Sequence, residues 1–360
     1  MKRLRARMQG FAVLLKEWYL RNYRELPWRN TNDPYAVWLS EIILQQTRVA
    51  QGLPYYQRFI EKYPVVKDLA NAPLDEVLRL WQGLGYYSRA RNLHQAAKQV
   101  IDVYQGIFPS DYDQIRNLKG IGDYTAAAII SFAFGKPYPV IDGNVIRFLS
   151  RLAGITHPVD TSAGRKKIVK LAHELIDKTD PATFNQGIME FGALICKPVN
   201  PNCQECPFRL NCKAFSLDII SEIPIKQSKT KVRSRYFNYL VIDNDGKTVI
   251  RQRTGKDIWE GLFEFPMKET DGEPENFPDG ILTVDTYQVN GFPVKIKHKL
   301  SHQDIYASFW KVKIKGETFE NPEFRIVQED DLQYFAMPRL IVKYLENNPV
   351  GNIQNPANPE

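Results

Sequence analysis

The chain has 360 residues, 43% of them hydrophobic, and a formal net charge of +7. That is enough apolar sequence for two domains, and no apolar run is long enough to cross a bilayer as a helix, which excludes a helical membrane protein. The charge is uneven: residues 1–215 hold 29 Lys and Arg against 19 Asp and Glu, residues 216–360 hold 19 against 22, so the basic first part suits a polyanion such as nucleic acid.

The first twenty residues, MKRLRARMQGFAVLLKEWYL, are basic and then amphipathic. Lys16 and Glu17 interrupt the apolar stretch that a signal peptide needs, so a helix and an intracellular, cytoplasmic protein are expected. Asp33-Pro34 supplies an N-cap followed by proline at the first helical position, predicting one helix over YAVWLSEIILQQTRVAQ. Further helices are predicted over 55–62, 73–82, 88–104, 111–117, 123–134, 144–152, 161–178 and 181–194, with Gly and Pro between them. Residues 216–234 lose the apolar periodicity and gain Lys, Ser and Thr, as a linker does. Beyond them come short β-rich runs, RYFNYLVID, KTVIRQR, LFEFP, VKIKHKLSH and DIYASFWKVKI, separated by turn signals such as DNDG. They predict an α+β domain over 235–346, and the tail 347–360 has little to bury.

Four cysteines, Cys196, Cys203, Cys206 and Cys212, lie within 17 residues at spacing C-x6-C-x2-C-x5-C. Disulfides staple distant parts of small secreted chains, so a single tight cluster points to a metal centre. Zinc takes four cysteines as readily as an iron–sulfur cluster does, but zinc ligands are usually paired two to four apart, and only Cys203 and Cys206 are. In Leu118-Lys119-Gly120-Ile121-Gly122-Asp123-Tyr124, two glycines stand between a helix end and a helix start. Such a turn offers backbone N–H groups of Gly120 and Gly122 to a phosphate, although the same pattern also makes an ordinary corner. Asp142 in PVIDGNV sits where an apolar run meets the next helix. As an N-cap it needs no further role; as an ionised group held by the helix N-terminus it can face a developing cation. Glu41 has Val37, Trp38, Leu44 and Gln45 as its helical neighbours. Burial there raises its pKa and makes it a proton donor, giving a pair of carboxylates pushed apart in pKa.

Together these features resemble the helix–hairpin–helix DNA glycosylases of the endonuclease III superfamily. Leu26-Pro27-Trp28-Arg29, Gln45-Gln46-Thr47-Arg48-Val49 and Gly83-Leu84-Gly85-Tyr86-Tyr87-Ser88-Arg89-Ala90-Arg91 are similar to the MutY-type adenine DNA glycosylases within it. The resemblance covers about residues 5–345 and is densest over 24–212. It implies an all-α helix–hairpin–helix domain over 1–215 with a [4Fe-4S] loop at 196–212, a linker at 216–234 and a Nudix-like domain at 235–346. The implied catalytic set is Glu41, Asp142, Tyr124 and Asn144, with Tyr124 beside Asp142. Arg24, Leu26, Trp28, Arg29, Thr47 and Gln186 would line the pocket for a flipped adenine. Gln46, Leu84 and Tyr86 would fill the space it leaves and prop the opposite strand. Relatives that also nick the backbone carry a lysine where this chain has Tyr124, and tyrosine forms no Schiff base, so a monofunctional enzyme is implied. Lys119 stands where the family often has proline.

In the second domain, IWEGLFEFP resembles a strand and loop of the Nudix fold. A Nudix hydrolase needs G-x5-E-x7-R-E-x2-E-E; counted from Gly261, the first Glu position holds Met267 and no R-E-x-x-E-E follows. The fold is therefore expected without diphosphate hydrolysis. His298-Lys299-Leu300-Ser301-His302 matches the family's H-x-F-S-H, with Leu300 for Phe, and implies that Ser301 and His302 read 8-oxoguanine. The implied partner is duplex DNA with adenine opposite 8-oxoguanine, bound by a monomer away from membranes. The rivals are a bifunctional glycosylase/lyase and a catalytically silent DNA-binding iron–sulfur protein.

Overall fold

The computed structural model describes residues 10–227, 232–274, 287–314 and 322–348. The expectations for the first nine residues and for the tail beyond 348 lie outside them. The chain divides into two compact units, Met1–Ala70 with Gln95–Lys229 and Asn71–His94 with Thr230–Glu360.

The first unit is helical: α1 (Phe11–Asn22), α2 (Pro34–Leu44), α3 (Val49–Lys62) and α4 (Val66–Asn71), then α6 (Ser88–Tyr104, most of it), α7 (Tyr112–Arg116), α8 (Asp123–Phe132), α9 (Gly143–Ala153), α10 (Ser162–Leu175), α11 (Pro181–Leu194) and α12 (Lys213–Ser216). Their starts are chemically marked. Asp33, Asp111, Asp142, Thr161 and Asp180 each accept a hydrogen bond from an N–H of the following turn, satisfying donors that the helix leaves unpaired. Phe11, Phe148, Phe184, Phe191 and Phe208 meet in one aromatic core that joins α1, α9, α11 and the cysteine loop.

The single helix expected from Tyr35 to Gln51 is broken. Gln45 takes ψ 117° and Gln46 a left-handed φ of 58°, so α2 ends at Leu44 and α3 starts at Val49. Apolar residues continue across the break, which hid it from the periodicity. Gly52 sets how close the two helices come, since a Cβ there would lie 2.9 Å from the Leu44 side chain. The short helix α4 was not anticipated.

The second unit is built on β1 (Arg233–Asp243), β2 (Lys247–Gln252), β3 (Phe263–Glu264), β4 (Met267–Thr270), β5 (Tyr287–Val289), β6 (Val294–Lys299), β7 (Gln303–Ile314) and β8 (Phe324–Gln328), with α13 (Arg339–Asn347). One sheet runs β4-β1-β7-β5, with β6 also on β7, and the other β3-β2-β8. β1 and β7 pair in parallel over eleven residues, Arg233 with Gln303 through Asp243 with Lys313. Asp245 and Gly246 of DNDG, at φ 50° and 80°, are the two left-handed residues of a tight hairpin turn. Where a Nudix hydrolase's acidic helix would begin after Gly261, the described residues Met267–Thr270 form the strand β4. Its Glu269 pairs with Arg235 at 2.6 Å. The α+β, Nudix-like expectation holds in this unit, as the helical one holds in the first.

Residues 71–94, including α5 (Leu74–Leu80), group with this second unit. Arg91 donates to the Glu260 carbonyl and carboxylate, and Gln252 to Asp75 at 2.9 Å. Leu78 packs 3.2 Å from where a Cβ on Gly261 would stand. The first part of the expected linker, residues 217–227, is packed on the helical unit: Arg151 donates to the Ile223 carbonyl, Val159 N–H to that of Ile225, and Ile223 is buried. No helix among the described residues is long and apolar enough to cross a membrane.

Candidate functional site

A cavity of about 570 Å³ opens in the helical unit. Its wall gathers residues from six parts of the chain: Arg24, Leu26, Trp28 and Arg29 from the segment around the 3-10 turn Pro27–Arg29, Glu41 from α2, Thr47 after it, Tyr124 from α8, Asp142 and Asn144 at the start of α9, and Gln186 and Glu190 from α11.

Glu41 is buried at 6% exposure, because α2 is apolar on nearly every side. Burial pushes its pKa up to about 7; the hydrogen bond from Tyr124 Oη, 2.7 Å from Oε2, opposes this, the charge of Asp142 adds to it and that of Arg29 subtracts. Tyr124 therefore differs from expectation in its partner: its hydroxyl is spent on Glu41, and Asp142 is bonded by others. Asp142 caps α9, accepting from Val145 N–H at 2.7 Å and from Asn144 Nδ2 at 2.8 Å. The helix start thus supplies a hydrogen bond that favours its ionised form. Burial raises the Asp142 pKa, and those hydrogen bonds, with the Arg147 charge, offset part of that rise.

Glu190, which the sequence did not single out, is buried at 2% exposure. It receives both Arg24 nitrogens at 2.6 and 2.7 Å and Arg29 Nη2 at 2.7 Å. Burial alone would raise its pKa; the two guanidiniums overcome that and hold it at about 2. Gln186, one turn before it, accepts from Tyr19 Oη at 2.6 Å. Trp28 packs edge-on against Tyr56. Asn185 is wholly buried: its Oδ1 accepts from Val140 N–H, and its Nδ2 donates to Ser131 Oγ and the Tyr138 carbonyl. It thus fixes the extended segment that delivers Asp142. Gln186 and Glu190 stand four apart on α11, hence on one face. With Arg24 and Arg29 already assigned to the pocket, a buried counter-charge was the signal available for Glu190.

Gly120, at φ 76°, and Gly122 lie exposed between α7 and α8, and their N–H groups take no hydrogen bond among the described residues. Lys119 N–H is taken by Gln99 Oε1 at 2.7 Å.

Cys196, Cys203, Cys206 and Cys212 line one small cavity with Arg151, Phe148 and Phe208. Two arginines of α9 hold this loop: Arg147 Nε donates to the Cys196 carbonyl at 2.7 Å, and Arg151 donates to the carbonyls of Lys197 and Pro198. Neither arginine was anticipated. Among the described residues no three Cys, His, Asp or Glu side chains converge on a single metal ion.

Gln46 is exposed in the break between α2 and α3. The remaining expected residues belong to the second unit. Leu84 is buried, while Tyr86, at φ 48°, is half exposed with its hydroxyl hydrogen-bonded to Ser301 Oγ. Ser301 and His302 sit in the exposed turn between β6 and β7, closed by Leu300 N–H to the Gln303 carbonyl at 2.8 Å. The strand run expected through His302 therefore stops at Lys299, and Leu300 packs on the sheet core.

Residues 39–178 match the HhH-GPD superfamily of base excision DNA repair proteins, and residues 238–347 match the NUDIX domain. The adenine DNA glycosylase of Buchnera aphidicola subsp. Acyrthosiphon pisum (strain APS) is 32% identical over 345 residues, 94% of this chain and 97% of its own. That of Arabidopsis thaliana is 39% identical over 299 residues, 72% of this chain and 47% of its own. A thermostable thymine-DNA glycosylase superposes with a TM-score of 0.56 at 30% identity, over 59% of this chain and 98% of its own. A helical repair domain with two carboxylates in one cavity, a Nudix fold after it in the chain, and a relative matched over nearly its whole length agree: the chain belongs to the adenine DNA glycosylases of base-excision repair.

Proposed function

We propose that this adenine DNA glycosylase hydrolyses the N-glycosidic bond of adenine opposite 8-oxoguanine or guanine, without cutting the backbone. The observation that carries the reading is the pair Glu41 and Asp142 in one cavity, the first pushed up to about 7 by burial and the second capping a helix start. Two carboxylates in unequal environments divide into acid and anion. Asp142 accepts two hydrogen bonds and feels Arg147, so it is the better-compensated anion; Glu41 accepts one from Tyr124 and keeps its proton to a higher pH.

Glu41 gives its proton to N7 of a flipped adenine, and the C1′–N9 electron pair leaves with the base. Asp142, oriented by Asn144, stabilises the cation left on the sugar. Water then adds at C1′ and loses a proton, completing an abasic site. Tyr124 holds Glu41 in place and offers no amine for an imine, which supports a monofunctional reaction. Arg24, Leu26, Trp28, Arg29, Thr47 and Gln186 enclose the base, and the N–H groups of Gly120 and Gly122 bind a phosphate. Gln46, Leu84 and Tyr86 support the opened duplex.

Cys196, Cys203, Cys206 and Cys212 fit a [4Fe-4S] cluster. Four thiols around one cavity, of which only Cys203 and Cys206 stand two to four residues apart, suit a polynuclear centre better than one zinc ion. Cys196, Cys203, Cys206 and Cys212 would hold the cluster as thiolates, and it would supply a cross-link that ties their loop together. Purified protein should hold about four irons and absorb broadly near ~400 nm; a colourless protein with one zinc overturns the assignment.

The test of the reaction is a duplex with adenine opposite 8-oxoguanine, treated with alkali after incubation. Scission only after alkali is expected. Glu41→Gln should bind this duplex and lose excision by at least ~100-fold, a general acid's contribution; activity within a few fold of the parent removes Glu41 from the mechanism.

A further inference from the structure

Glu190 is the one cavity-lining carboxylate with no part in the proposed chemistry. It is buried and takes three charge-assisted hydrogen bonds from Arg24 and Arg29. Such a group is costly to bury unless paired, and here one anion faces two cations. The charged and titratable groups around Glu41 come from every side: Arg29 and Arg24 from the 3-10 segment, Arg48 after α2, Tyr124 from α8, Asp142 before α9 and Glu190 from α11. Arg29 favours the ionised form of Glu41 and Asp142 disfavours it. An uncompensated pair of guanidiniums in the same wall would draw the proton off Glu41.

We propose that Glu190 is a positioning residue with two tasks: it fixes Arg24 and Arg29 against the cavity wall, and it cancels their charge so that Glu41 keeps its proton at neutral pH. The inference rests on Glu41 being the acid. A merely structural Glu190 would set stability alone; this one also sets the pH at which excision fails.

The test is single-turnover excision against pH at one fixed salt concentration, with duplex binding measured beside it. The parent should lose activity as pH rises through about 7, as Glu41 deprotonates. Glu190→Gln should move that fall to lower pH by about 0.5–1 unit. Above the fall this costs about three- to tenfold beyond any loss at pH 5.5, where one pH unit equals tenfold in the protonated fraction. Glu190→Asp keeps the charge and should leave the midpoint at the parent value even where the rate drops. Arg29→Gln should move the midpoint the other way, to higher pH, and keeps the proposal testable if Glu190→Gln does not fold. Rates that drop equally at every pH, with both midpoints unmoved, overturn the proposal. A parent profile with no fall near pH 7 would instead overturn Glu41 as the acid, so the two failures are told apart.

Discussion

Glu41 shows how the site is made at the scale of one residue. α2 supplies apolar neighbours, tertiary packing removes water, and a carboxyl with an ordinary pKa of 4.5 is pushed to about 7. The shift is a stability statement as well. The folded pKa lies above the unfolded one, so the carboxyl costs nothing below about pH 4.5 and its penalty grows as pH rises to about 7, beyond which it is constant. At ~1.4 kcal/mol for each pH unit between 4.5 and 7, that is on the order of 3 kcal/mol at pH 8. Glu41→Gln should therefore melt higher than the parent at pH 8, with the gain shrinking toward pH 5. Equal melting temperatures at both pH values would mean that Glu41 is not buried as a charge-costly group. Excision and stability thus pull in opposite directions at this position.

At the scale of elements, the site depends on how closely α9 and α11 approach. Gly192 on α11 sits against Asn144 at the start of α9: a Cβ there would lie 2.7 Å from Asn144 Cβ and 2.9 Å from its carbonyl oxygen. Those are backbone-anchored atoms that cannot rotate away. Gly192→Ala should therefore separate the two helices, disturb the Asn144–Asp142 hydrogen bond and cost about 1–3 kcal/mol as an overpacked contact does. Excision should fall more than DNA binding, because the turn at Gly120 and Gly122, proposed to bind a phosphate, lies between α7 and α8. An unchanged melting temperature with full excision would show that α9 and α11 have slack. The break after α2 is the second such device. The left-handed Gln46 turns the chain where a continuous helix was expected and leaves Gln46 exposed.

At the scale of the molecule, two units divide the task. The proposed acid Glu41 and anion Asp142 lie in the helical unit, and the H-x-L-S-H turn lies in the other. 8-Oxoguanine differs from guanine by an oxygen at C8 and a proton on N7, and a hydroxyl or an imidazole can answer both. Ser301 already touches Tyr86 within its own unit, so the proposed lesion reader and strand prop are one hydrogen-bonded group. Changing both Ser301→Ala and His302→Ala should lower the preference for adenine opposite 8-oxoguanine over adenine opposite guanine by about tenfold, on the order of one desolvated hydrogen bond. Binding and single-turnover excision of both mispairs at fixed salt check this. An unchanged ratio would place the reading of the lesion elsewhere.

The sequence by itself determined what local chemistry can specify. Helix starts at Asp33, Asp111, Asp142, Thr161 and Asp180, the DNDG turn, the cysteine spacing, and the sequence motifs holding Glu41 and Asp142 all depend on residues within a few positions of one another. Only the tertiary structure decided which distant groups share a charge or a hydrogen bond. Tyr124 bonds Glu41, 83 residues away. Glu190 meets Arg24 and Arg29 across more than 160 residues. Arg147 and Arg151 hold the cysteine loop, and residues 71–94 pack with strands that lie far beyond them in the chain. A buried charge is stable only where a partner reaches it, and that pairing is set by packing, which apolar periodicity and caps along a single segment do not encode.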